Sequence, residues 1–215
     1  TGSGYQPEGS ITKNGNLVTA SEILGLAECL RIGALCNDSQ LVNLEGRWDI
    51  HGDPTEGALL VVAQKAGLSS EEMKAQFKRI DAIPFESEHG YMATLHNTQE
   101  GSKVIYMKGS VEAVLDRCEN MIGFDNSLKP IDKNAIFGIV EDMARRGLRV
   151  LAFAKKVYEK PDDTLRHEDI LSGMTFVGLE AMIDPPRQEA IEAVAKCHSA
   201  GIRVKMITGD HALTA

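Results

Sequence analysis

Lys108, Gly109 and Ser110 follow a β-rich run and precede a helical one, so an ammonium group and the N–H groups of a helix start converge where an anion could bind. Spacing alone also fits a plainer reading, a lysine at a tight turn. Asp53-Pro54-Thr55-Glu56 supplies two carboxylates, yet the same residues are fully explained as a helix start. Asp53 caps, Pro54 takes the first helical position and Glu56 completes a capping box. Phe85, after Pro84, is either core or a flat surface on which a base could stack. Arg149, after Gly147-Leu148, reads as a solvated strand residue. Near the end, Ile207-Thr208-Gly209-Asp210 presents a hydroxyl, a flexible turn and a carboxylate directly after an apolar run, where open α/β sheets bind ligands.

Several chemistries are excluded. Neither G-x-x-x-x-G-K-[ST] nor G-x-G-x-x-G occurs, which disfavours P-loop enzymes and Rossmann dehydrogenases. The six histidines are scattered with no H-x-x-x-H pair, so no metal site is expected within the chain. Cys29, Cys36, Cys118 and Cys197 form no C-x-x-C pair and are read as reduced thiols of a cytosolic protein. The 215 residues carry a net charge of -8, which repels nucleic acid and anionic lipid. The longest apolar run, residues 58–63, is far short of the roughly twenty residues that span a bilayer.

The elements that must position these groups follow from periodicity. Ile23, Ala27, Leu30 and Ala34 share one face and predict a helix over 21–36. A second helix starts at Pro54 and ends at Gly67, and Ser69 with Glu72 opens a short third one. The period then changes to two over 79–85, 91–96 and 102–107, an antiparallel meander. Ser110 opens a helix to about Cys118, Asp132 caps another that ends at Gly147, and 148–157 and 174–182 are strands. A helix over 188–200 followed by a strand over 202–207 resembles half of a parallel α/β unit. The first sixteen residues are polar and turn-rich, a strand edge or a cut end.

The expected fold is therefore α+β: a twisted antiparallel sheet flanked by helices over 1–183, then a stub of different, parallel architecture over 184–215. About thirty residues are too few for a core of their own, so the chain is expected to be part of a longer protein.

Taken in order, Gly52-Asp53-Pro54-Thr55-Glu56, Pro84-Phe85, Lys108-Gly109-Ser110, Gly147-Leu148-Arg149, Asp184-Pro185-Pro186-Arg187 and Thr208-Gly209-Asp210 resemble the nucleotide-binding region of P-type cation-transporting ATPases, nearest the branch of calcium pumps and other bacterial cation pumps. The resemblance covers essentially the whole chain. It implies an ATP-binding domain inserted into a haloacid-dehalogenase-like phosphorylation domain, the latter entered at residue 184. Phe85 would stack on adenine, Glu56 would hydrogen-bond the base edge, and Lys108 would lie deep in the pocket with Gly109 letting the nucleotide approach the backbone. Arg149 would pair with a phosphate, and Met92 and Leu151 would line the apolar wall. Thr208 and Gly209 would contact the transferred phosphoryl group, Asp210 would organise Mg2+, and Asp184 and Arg187 would belong to the hinge. The implied partners are the phosphorylation, actuator and transmembrane domains of the same pump, and the implied location is the cytosolic side of a bacterial plasma membrane.

Two departures qualify these expectations. The aspartyl nucleophile of the D-K-T-G-T motif does not occur in this sequence, which is expected to bind ATP without turning it over. Many relatives also place a lysine five residues after the stacking phenylalanine, where this chain has Gly90 beside Glu86, Glu88 and His89. The expected affinity is about millimolar, about 4 kcal/mol. The alternatives are a haloacid-dehalogenase-like phosphatase, which needs an early aspartate nucleophile, and a non-catalytic binding module.

Overall fold

The computed structural model describes residues 4–23, 25–123, 127–183 and 188–205. Two compact units emerge, one comprising Thr1–Lys133 with Leu151–Glu180, the other Asn134–Val150 with Ala181–Ala215.

The first unit opens with a hairpin, β1 (Ile11–Lys13) and β2 (Asn16–Val18), turned by Asn14 and Gly15, both at positive φ. An Asn-Gly pair in this conformation matches the right-handed twist of the strands it joins. Helix α1 (Leu26–Leu35) starts later than its periodicity predicts, because Gly25 sits at φ 85° and a 3-10 turn over Ala20–Glu22 precedes it. Next comes a second hairpin, β3 (Gln40–Leu44) and β4 (Arg47–His51), turned through Glu45 and Gly46. Asn43 Oδ1 accepts from the Gly46 N–H at 2.7 Å and closes that turn. Helix α2 (Pro54–Lys65) and helix α3 (Ser70–Gln76) follow, as their caps predict.

The meander is formed by β5 (Phe77–Glu86), β6 (Tyr91–Thr98) and β7 (Lys103–Gly109), all antiparallel. Helix α4 (Val111–Leu115) is capped by Ser110 and ends before Cys118, which instead opens β8 (Cys118–Ile122). Strand β9 (Leu128–Pro130) is too short for periodicity to announce. With β10 (Arg149–Tyr158) and β11 (Met174–Met182) these strands make a seven-stranded sheet ordered β5-β6-β7-β10-β11-β8-β9. The β11–β8 pair is parallel, an exception to the antiparallel expectation.

Alternation gives this sheet two distinct faces. Met92 on β6, Lys108 on β7 and Phe153 on β10 are register partners and therefore share one face. Gly33 of α1 lies against that face, since a Cβ there would meet Phe153 and Leu59 at 3.5 Å. The opposite face carries Tyr91, whose hydroxyl is 2.8 Å from His167 Nδ1, so the polar segment 159–173 packs over it. Both faces are covered, which explains why Ala93, Leu95, Ile105, Met107, Phe153 and Ala154 are all inaccessible.

In the second unit, helix α5 (Lys133–Arg145) begins at its edge and α6 (Gln188–Ser199) follows β11. Residues 202–205, expected to be strand, are irregular. A parallel strand exists only against a neighbour, and among the described residues none pairs with it. No described helix is long and apolar enough to cross a membrane.

Candidate functional site

Strand β5 departs from regular pairing where it matters most. Ile83 pairs with Ala93 and Glu86 with Tyr91, so Pro84 and Phe85 together face the single residue Met92. This bulge costs pairing and turns Phe85 outward, leaving it 58% exposed at the end of an otherwise packed sheet. Across the sheet the row continues from Met92 to Lys108 to Phe153. At about 4.8 Å per strand, an exposed aromatic ring and a lysine lie two strands apart with a buried thioether between them.

Lys108 is not the surface lysine that spacing alone allows. It is only 6% exposed, and its ammonium donates to Glu56 Oε1 at 2.6 Å. The partner is placed by the start of α2: Asp53 Oδ1 accepts from the N–H groups of Thr55 (2.8 Å) and Glu56 (3.1 Å), with Pro54 at the first helical position. The expected capping box is thus only half present. Instead of reaching back to Asp53, the Glu56 side chain sends Oε1 to Lys108 and Oε2 to the Asp38 N–H (3.0 Å) and the Ser39 hydroxyl (2.9 Å). A buried ammonium pulls harder on that carboxylate than a solvated helix N–H could.

The segment after α1 braces this arrangement. Asn37 Nδ2 donates to the backbone carbonyls of Glu56 (2.9 Å) and Gly33 (3.0 Å), and Asn37 Oδ1 accepts from the Ser39 N–H. Arg79 fastens the intervening Asp38 with a 2.6 Å ion pair. Gly52 is required here: it holds φ 122°, and a Cβ on it would lie 2.3 Å from Ser39 Oγ. No chemical motif marks 37–39, which reads as an ordinary turn.

Glycines 90 and 109 have packing reasons of their own. Gly90 adopts φ 69° in the β5–β6 turn, donates to the Glu86 carbonyl and accepts from the Ser110 N–H. A lysine there would be strained. A Cβ on Gly109 would lie 2.4 Å from the Gly90 carbonyl oxygen, so the β6–β7 approach demands glycine whatever a ligand does. His89, beside Gly90, stacks on Tyr91 and lies 4.7 Å from the His167 ring.

Glu180 lies near the pair, and a buried histidine, His96, lies further along β6. Glu180 is pushed up to about 8 by burial, an effect the Lys108 charge opposes, and its Oε1 is 4.0 Å from Cys29 Sγ. Burial likewise raises the Cys29 and Cys36 thiols, so neither is a poised nucleophile. His96, 1% exposed, is lowered to about 4 by burial; its Nδ1 is 3.1 Å from the Phe77 carbonyl and its Nε2 2.8 Å from Thr94 Oγ1. Sequence reasoning missed both, because neither belongs to a motif.

Among the predicted site residues, the structure joins Glu56 to Lys108 directly, with Met92 opposite Lys108 and Phe85 opposite Met92. Leu151 is half-buried near the start of β10. Arg149 is the exposed first residue of that strand and belongs to the second unit. Asp184, Arg187, Thr208, Gly209 and Asp210 lie outside the described residues. A cleft of about 380 Å³ lined by Asn37, Asp38, Ser39, Lys74, Arg79 and His96 includes the braces of Glu56 but none of the predicted site residues. Among the described residues no cluster of His, Cys, Asp or Glu could hold a metal.

An exposed ring, an apolar wall and a buried acceptor–donor pair suit a flat heterocycle with polar edges. The family model described as P-type ATPase, cytoplasmic domain N, matches residues 25–189. The whole chain is 51% identical to the cation-transporting ATPase pma1 of Synechocystis sp., 45% to the probable cation-transporting ATPase F of Mycobacterium tuberculosis and 35% to a calcium-transporting ATPase of Bacillus subtilis. It spans 24% of the length of each.

Proposed function

The chain belongs to the cytoplasmic domain N family of P-type ATPases, and from that premise we propose that it is the ATP-binding part of a longer membrane pump that moves a metal cation. The observation that carries this reading is the buried Glu56–Lys108 pair, two strands from the exposed Phe85. Adenine stacks on Phe85, the apolar side chains of Met92 and Leu151 wall the base, and Glu56 and Lys108 meet its polar edge. With the ring exposed and its neighbours fixed, little reorganisation accompanies binding.

Arg149 is proposed, from the family resemblance, as a bidentate partner for a phosphate. Mg2+, when bound with the nucleotide, would supply positive charge that offsets the phosphate charge. The described residues offer it no ligand set; Asp210 is proposed to help organise it, and Thr208 and Gly209 to contact the transferred phosphoryl group. The phosphoryl group is passed to an aspartate outside this sequence, and the resemblance assigns Asp184 and Arg187 to a hinge. On this reading the domain lies on the cytosolic side of a bacterial plasma membrane. The phosphatase alternative is less favoured, because the family match begins at residue 25 and covers the sheet rather than the tail.

Calorimetric titration of the wild-type chain and Phe85→Ala with ATP tests the reading. Stacking beyond simple burial contributes about 0.5–1.5 kcal/mol, so Phe85→Ala is expected to weaken ATP by about two- to tenfold. Unchanged affinity would remove Phe85 from the site.

A further inference from the structure

Glu56 presents a restricted hydrogen-bonding surface. A carboxylate paired with an ammonium is an acceptor only, with about four lone-pair positions. Oε2 uses both of its own on the Asp38 N–H and the Ser39 hydroxyl, and Oε1 uses one on Lys108. A single acceptor position remains, on Oε1. We propose that Ser39 is a positioning residue that holds Glu56 in this orientation and thereby makes the site prefer a 6-amino purine over a 6-oxo purine. The proposal rests on the nucleotide reading above and concerns how the same site chooses its base.

The chemistry follows from which groups can meet. An exocyclic amino group is a donor and can complete the last acceptor position of Oε1. An exocyclic oxygen is an acceptor, which the last position of Oε1 cannot satisfy, so it gains only what Lys108 can donate and loses the bond an amino group makes to Glu56. Discrimination therefore depends on Glu56 being unable to turn.

Ser39 is built to prevent that turning. It is 4% exposed, its own N–H is held by Asn37 Oδ1 at 2.9 Å, and Gly52 leaves its hydroxyl the space that any other residue would fill. The preceding residue is anchored by Arg79. Without the Ser39 hydroxyl, Oε2 loses one of its two donors and the carboxylate can rotate about its terminal torsion.

The test compares ATP with its 6-oxo counterpart, inosine triphosphate, on the wild-type chain, Ser39→Ala and Phe85→Ala, with thermal melting of each. Ser39→Ala is expected to lower the ratio of ATP to inosine triphosphate affinity by about two- to tenfold, the net worth of one hydrogen bond, chiefly through weaker ATP binding. An unchanged ratio, whether both affinities fall together or neither moves, overturns the proposal and leaves Ser39 a packing residue. If Phe85→Ala weakens both nucleotides while the Ser39→Ala ratio holds, positioning alone has failed; if Phe85→Ala changes neither, the nucleotide site itself has failed. Should Ser39→Ala not fold, Ser39→Cys keeps the volume beside Gly52 with a much weaker donor, and the same ratio decides.

Discussion

Lys108 Nζ lies 2.6 Å from Glu56 Oε1, with the two side chains 7% and 15% exposed. A strand in the middle of the sheet and the first turn of a helix 52 residues earlier are thereby locked together by opposite charges that water scarcely reaches. Removing one partner leaves the other buried and uncompensated, at a cost of about 3–5 kcal/mol. Lys108→Met is expected to lose stability of that order in denaturant unfolding. The double variant Lys108→Met, Glu56→Leu should regain a large part of it without regaining ATP binding. A loss in the double variant equal to the sum of the Lys108→Met and Glu56→Leu losses would show that the pair is not coupled.

Glu180 makes stability depend on alkaline pH. Its carboxyl titrates at about 8 in the folded chain against an ordinary 4.5. Above 4.5 the unfolded chain releases this proton while the folded chain keeps it, so the group's favourable contribution is lost as pH rises from 4.5 through 8. Glu180→Gln removes the dependence. The melting temperature of Glu180→Gln relative to wild type should therefore rise between pH 5 and pH 8.5, and a constant difference would argue against a buried neutral carboxyl.

His96 acts on the acid side. It titrates at about 4 in the folded chain against 6.5 ordinarily, so the unfolded chain takes up a proton first as pH falls. Stability is complete above 6.5 and is lost on descent to about 4, by about 3 kcal/mol. Denaturant titrations between pH 7.5 and 4.5 should show this slope in wild type and a shallower one in His96→Gln. The same slope in both would mean that His96 is solvated.

Much of the fold was legible because its signals are local. The caps at Asp53, Ser69 and Ser110 and the period-two runs of the meander each depend on a few adjacent residues. The β3–β4 hairpin escaped because its turn, Glu45-Gly46, is formed by an uncommon glutamate at positive φ. Helix α1 was overextended because periodicity does not register the left-handed Gly25. For the site, ordered motifs made Glu56, Phe85 and Lys108 candidates, but did not show that Glu56 would abandon its capping box for Lys108. That choice is made across the fold, between a residue at 56 and groups at 38, 39 and 108, and no spacing in the sequence encodes it. Asn37-Asp38-Ser39 was invisible for the same reason.

If the Glu56–Lys108 pair and Phe85 form one nucleotide site, ATP must perturb both together. Amide chemical shifts followed during titration of the isotopically labelled chain with ATP, into the high-millimolar range, test it most directly. Saturable shifts are predicted at Glu56, Phe85, Met92, Lys108 and Leu151, with the β1–β2 hairpin unmoved. Saturable shifts confined to the cleft at Lys74, Arg79 and His96, or none at all, would contradict the account.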